Sequence, residues 1–141
     1  MQRFRAAAAT VALVSRDRSA IHDVDSILAD DTTKVDVHAT FESLVDSLAV
    51  SAADIVIIDD RIEHDALEQI RLLRRRQPLL HIVYMNVRDE WRSIELLHWG
   101  ADDPITLASP IFVARLQSAT RRARTMNAGA RIAIGDIVFD R

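Results

Sequence analysis

The chain has 141 residues, 49% of them hydrophobic and 28% charged, with a formal net charge of -3, which suits one compact domain and leaves little length for a second. It contains no cysteine, so disulfides, thiolate zinc sites and cysteine nucleophiles are excluded, in keeping with a reducing cytoplasm, the expected location. The small negative charge gives no whole-domain footprint for nucleic acid.

The opening MQRFRAAAATVALV is followed by Ser15-Arg16-Asp17-Arg18 where a small-residue cleavage site would stand, so a buried first strand over Thr10 to Val14 is expected rather than a leader. Further short apolar runs lie at Val35 to Ala39, Ile55 to Ile58 and His81 to Met85, with a weaker one near Ile105. Between them, Ile21, Val24, Ile27 and Leu28, then Phe41, Leu44, Val45 and Leu48, then Leu67, Ile70, Leu72 and Leu73 recur at helical spacing. Strand and helix alternate five times. Strands apolar at successive positions predict a parallel sheet covered on both faces, hence a three-layer α/β sandwich with right-handed crossovers. Gln77-Pro78 and Trp99-Gly100 are expected to close the third and fourth helices, and a last helix is expected from about Pro110 to Thr125. No run approaches a membrane span. Asn127 to Ala130 reads as a linker, and Arg131 to Phe139 as two short strands around Gly135-Asp136 with no core of their own.

In an open parallel sheet, ligands bind beyond the carboxyl ends of the strands. Those ends fall at Ser15-Arg16-Asp17, Asp59-Asp60-Arg61, Asn86-Val87-Arg88 and Thr106-Leu107-Ala108. Asp59, at the mouth of a central strand, could be a nucleophile or a metal ligand.

ADIVIIDD, DALEQIRLLRRR, HWGADD and IAIGDIVFD, in that order, resemble the receiver domain of bacterial response regulators, in particular the OmpR/PhoB-type transcription factors. The resemblance implies a flavodoxin-like (βα)5 sandwich with strand order 2-1-3-4-5. It divides the chain into a receiver over 1–127 and, over 128–141, a linker with the first strands of a winged-helix effector, cut before any DNA-reading helix. DNA would be reached only through that effector. It also implies that Asp59 matches the phospho-accepting aspartate, which a histidine kinase would load with the help of a divalent ion.

The other residues of that chemistry are missing. The acidic pair of the family falls on Ser15 and Arg16, with Asp17 a flanking acid, and Mg²⁺ would be repelled by a guanidinium. The Ser or Thr after strand four falls on Asn86, the lysine after strand five on Leu107, and the aromatic switch position on Pro104. A single lysine, Lys34, is present, so no shift of register supplies the missing one. Asp59 is therefore expected to be vestigial as a phospho-acceptor and paired with Arg16, with Arg61 or Arg88 nearby. Mg²⁺ binding is expected to be lost and the pKa of Asp59 lowered. No cofactor or other metal is expected, since the five histidines are scattered without ligand spacing.

Asp60, one residue on, should point the other way and serve structure. Arg74 to Arg76 and Arg121, Arg122 and Arg124 stand at helix ends, where cations complement the macrodipole, and do not require nucleic acid. Trp91 and Trp99 suit core or interface. The resemblance further implies pairing of two chains through the face made by helix four, strand five and helix five. Asp102 and Asp103 match its acids, and Arg115 and Arg122 fall on one stripe of the last helix, free to reach a symmetric partner.

The expectation is a regulatory, non-enzymatic receiver working without phosphorylation as a homodimer, controlled by protein contact or a small-molecule ligand. A conventional phospho-receiver using Asp17 and Asp59 for metal is the second reading. A flavodoxin-like ligand binder or hydrolase is the third, weakened by the presence of only three glycines.

Overall fold

A computed structural model describes residues 9–29, 33–62, 64–106, 111–123 and 125. The elements are β1 (Ala9–Val14), α1 (Arg18–Leu28), β2 (Thr33–His38), α2 (Phe41–Leu48), β3 (Ile55–Asp59), α3 (Ala66–Arg76), β4 (His81–Val87), α4 (Glu90–Trp99) and β5 (Asp103–Thr106). A final helix, α5, covers residues 112–123. The five strands are parallel in the order β2-β1-β3-β4-β5, the flavodoxin-like arrangement expected. The tail over 128–141 and Leu107 lie outside the described residues.

Side chains alternate across a strand, so each central strand feeds two cores. Ala12, Val14, Val56, Ile58, Ile82 and Tyr84 pack on one face under Leu44 of α2, Ile70 and Leu73 of α3 and Leu96 of α4. Val11, Leu13, Ile55, Ile57, Val83 and Met85 pack on the other under Val24 and Leu28 of α1 and Leu116 and Ala119 of α5. Every residue of β3 is buried, which is why its sequence is continuously apolar up to the acids that end it. Burial of each such side chain contributes about 1.5–3 kcal/mol. Edge strand β2 instead has no fully buried residue and carries Lys34 and Asp36, charges that discourage edge-to-edge pairing.

Helix starts are set by side-chain caps: Asp17 for α1, Thr40 for α2, Asp65 for α3 and Asp89 for α4 each accept from backbone N–H groups of the first turn. Gly100 ends α4 in the left-handed region, φ 113°, as the Trp99-Gly100 pair predicts. A second left-handed residue is Asn86, φ 57°, a type that tolerates this region. It sits where the β4–β5 register shifts between Tyr84 and Val87.

Candidate functional site at the carboxyl edge of the sheet

Asp59 is the last residue of β3 and only 2% exposed. Its Oδ2 accepts from the Ser15 hydroxyl at 3.0 Å. The chain then turns, Ile62 N–H donating to the Asp59 carbonyl at 3.2 Å, and this fold-back carries Arg61 over the carboxylate. Arg61 Nε donates to Oδ1 at 3.0 Å and Nη2 to Oδ2 at 2.8 Å, while its backbone N–H also reaches Oδ1 at 3.1 Å. The same Nη2 donates to Asp17 Oδ2 at 2.8 Å. With its amide oxygen turned inward, as the surrounding donors require, Asn86 accepts from Arg61 Nε at 3.3 Å and Nη2 at 3.0 Å. Asp17, Asp59 and Asn86 thus converge on one guanidinium.

The expected pair between Arg16 and Asp59 does not form. Ser15 points at Asp59, so Arg16, one residue on, is turned away, and its Nε donates to the Ala39 carbonyl at 3.1 Å. Arginine does neutralise the aspartate, but it is Arg61. Burial alone would push the Asp59 carboxyl up; the Arg61 side-chain and backbone hydrogen bonds and the Ser15 hydroxyl outweigh it and hold the carboxyl below its ordinary value. Asp17 is lowered as well, chiefly by its hydrogen bond to Arg61. Arg61 itself is raised, first through its bond to Asp59.

Asp60 faces the opposite side, as strand alternation predicts, and anchors a second network. Arg92 of α4 clasps it through Nε to Oδ2 at 2.9 Å and Nη2 to Oδ1 at 2.8 Å, and His64 Nε2 lies 2.9 Å from Oδ1. His64 stacks on Tyr84, ring centroids 5.7 Å apart, and its Nδ1 meets Gln69 Oε1 at 2.7 Å. Arg92 also lies over the Trp99 ring, 5.6 Å from its centroid. Burial would raise Asp60, but His64 and Arg92 more than offset it and leave the carboxyl lowered. His64 and Arg92 are the residues sequence reasoning missed. The four-residue spacing from Asp60 to His64 was a signal for the first; for Arg92, 32 residues away, there was none.

The acids and arginines expected on an exchange surface are engaged within the chain. Asp103 Oδ2 accepts from Arg122 at 2.6 Å and meets His81 Nε2 at 2.7 Å. Asp102 Oδ2 accepts from Arg74 Nη2 at 2.8 Å and from the Ile82 N–H at 2.8 Å. Arg115 donates to the Pro104 carbonyl at 3.2 Å. The reason is proximity: α5 packs beside β5, so its arginines meet that strand first. Pro104 itself is buried in β5 and paired in register with Tyr84. Arg74 also donates to the carbonyls of Gly100 and Leu80, which gives the cationic end of α3 a structural purpose.

Among the described residues around Asp59, only Asp17 and Asp59 could offer carboxylates to a cation, and the Arg61 guanidinium stands between them. Ser15 and Arg16, beside them at the end of β1, offer no carboxylate. The residues present therefore do not fit a resident Mg²⁺.

No family model matches the sequence, and no curated protein does. Solved structures do. NtrX from Brucella abortus, in complex with ATP, is similar at a TM-score of 0.73 and 20% identity; the match covers 92% of this chain, which spans only 29% of NtrX. A response regulator from Thermotoga maritima matches at 0.71 and 20%, covering 81% of this chain and 98% of its own. The BeF3-activated DrrB receiver domain matches at 0.67 and 20%, covering 79% and 97%. The chain therefore has the fold of response-regulator receiver domains.

Proposed function

We propose that this chain is a receiver-type regulatory domain whose acceptor site is occupied by its own arginine, so that it acts without phosphorylation. One observation carries the reading: the two-pronged contact of Arg61 on Asp59, at 3.0 and 2.8 Å, takes the space a phosphoryl group would need and supplies the positive charge a metal would. A charge-assisted fork of this kind is the strongest contact a carboxylate makes short of a metal. The output is pairing of two chains through the α4–β5–α5 face. Trp91, Ile94 and Leu97 support it, being exposed along α4 at 80, 57 and 50%, since large apolar side chains grouped in water mark contact surfaces. In a longer protein the domain would control a DNA-binding effector of the OmpR/PhoB type, with transcription as its readout.

The conventional reading, a phospho-accepting receiver, is favoured by one feature: Asp17 and Asp59 share the guanidinium, so a cation displacing Arg61 would meet two carboxylates. Incubation with Mg²⁺ and acetyl phosphate or beryllofluoride separates the two. Intact-mass spectra and fluorescence titration are expected to show no adduct and no metal-dependent change. Stoichiometric, metal-dependent modification of Asp59 would establish the conventional reading instead.

A further inference from the structure

Helix α2 is only eight residues long and packs on β1 and β2, whereas α3 leans on α4. Between α2 and α3 this leaves a cavity of about 640 Å³ over the carboxyl ends of β1 and β3. That volume lies in the range of small-molecule sites, roughly 300–1,000 Å³. Its walls include Val14, Phe41, Ile58 and Leu72, an apolar surface that a ligand body could cover.

Two features show what the occupant must carry. Gln69 lines the cavity and is 7% exposed. One end of its amide is held by the Tyr84 hydroxyl at 3.0 Å and His64 Nδ1 at 2.7 Å; the other, the NH₂ group, has no partner among the described residues. That NH₂ group is open to solvent, His38 Nε2 being the one buried side-chain nitrogen without a partner among the described residues, so an acceptor on an occupant can reach it. The second feature is charge. Asp65 keeps its charge while capping α3, Glu68 pairs with Arg71 at the exposed surface, and His64 meets Asp60. Arg16 uses only its Nε, on the Ala39 carbonyl, and Arg75 has no hydrogen-bond or carboxylate partner among the described residues. Of the charged groups in the walls free to face an occupant, two are guanidiniums and one, Glu42, is a carboxylate.

We propose that this cavity binds a small organic anion: an apolar body against Val14, Ile58 and Leu72, an acceptor atom opposite the Gln69 amide, and the anionic group held by Arg16 and Arg75. No part of the site uses Asp59, so it stands independently of whether that residue accepts a phosphoryl group.

The test uses the folded chain and two fluorescent probes sharing one ring system, 8-anilinonaphthalene-1-sulfonate and the uncharged N-phenyl-1-naphthylamine. The sulfonate is expected to bind one saturable site, about ten-fold or more tightly than the uncharged probe. Replacing both Arg16→Ala and Arg75→Ala should erase that preference while the circular dichroism spectrum and the affinity of the uncharged probe stay unchanged. Leu72→Trp, which narrows the cavity from one wall, should weaken the binding of both; if that variant fails to fold, the double arginine variant decides. Absence of saturable binding, equal affinity for the two probes, or sulfonate binding indifferent to the loss of both arginines would overturn the proposal.

Discussion

Arg61 and Asp59, two residues apart, close a fork across the turn that ends β3, with Nε on Oδ1 at 3.0 Å and Nη2 on Oδ2 at 2.8 Å. The carboxylate is 2% exposed and the guanidinium 41%, so the pair is half in water: the acid is buried and the base covers it. Removing the base strands a buried charge. Arg61→Met is expected to lower stability by about 1–3 kcal/mol, toward the lower part of that range because water can enter where the exposed guanidinium stood. Arg61→Lys should recover only part, since an ammonium cannot make the fork. Urea unfolding midpoints check both.

The sandwich was legible because the buried strands are continuously apolar while the helices repeat at their own period, and its strand order followed from the resemblance to receiver domains. An arginine at Asp59 was legible too, from the absence of the lysine and of the acids that would hold a neutralising cation in the family the sequence resembles. Which arginine was not. Arg16 faces away because Ser15 faces in, and Arg61 arrives only because the turn at Ile62 folds back, a matter of backbone geometry that composition does not encode. The intrachain contacts of Asp102 and Asp103 were not legible for a related reason. Their partners, Arg74 28 residues away and Arg122 19 residues away, meet them through the packing of α3 and α5, and no local spacing announces that.

Acid should unfold this protein through its buried carboxylates. Asp59, Asp60 and Asp103 are each pushed up by burial, yet hydrogen bonds and neighbouring cations hold all three below the ordinary 3.8. The native state then binds fewer protons than the unfolded chain, so these groups contribute fully above the ordinary carboxylate value. Their contribution is lost as pH falls through that value and the lower ones of the folded state. The urea midpoint should decline below about pH 5. Asp59→Asn should start lower at neutral pH and decline less steeply. An acid limb of unchanged slope in that variant would remove Asp59 from the account.

Gly100 is held at φ 113°, and a Cβ there would lie 3.2 Å from Ile70 Cγ2. Its carbonyl also receives Arg74 Nη2 at 2.6 Å, so the cap cannot shift without disturbing the α3–β5 connection. Gly100→Ala is expected to cost about 1–2 kcal/mol through the left-handed backbone alone, with more from the crowded Ile70. Thermal unfolding measures it; a melting temperature equal to that of the parent chain would mean that the end of α4 can rearrange.

Pairing of two chains should depend on apolar contact rather than on the arginines of α5. Arg122 donates through one nitrogen to Asp103 and Arg115 through one to the Pro104 carbonyl, so part of the hydrogen-bonding capacity of each is spent within the chain rather than on a partner. Trp91, Ile94 and Leu97 instead form a slanting stripe along α4, between 50 and 80% exposed, and burying such side chains is what stabilises a symmetric interface. Ile94→Glu places a charge in the middle of that stripe and should convert a dimer to monomer in light scattering while circular dichroism stays unchanged. Arg115→Glu, losing one hydrogen bond to a carbonyl, should weaken the dimer far less. If the two variants have the reverse effects, charge rather than apolar burial holds the chains together. If the parent chain itself scatters as a monomer at high concentration, the α4 stripe has another use.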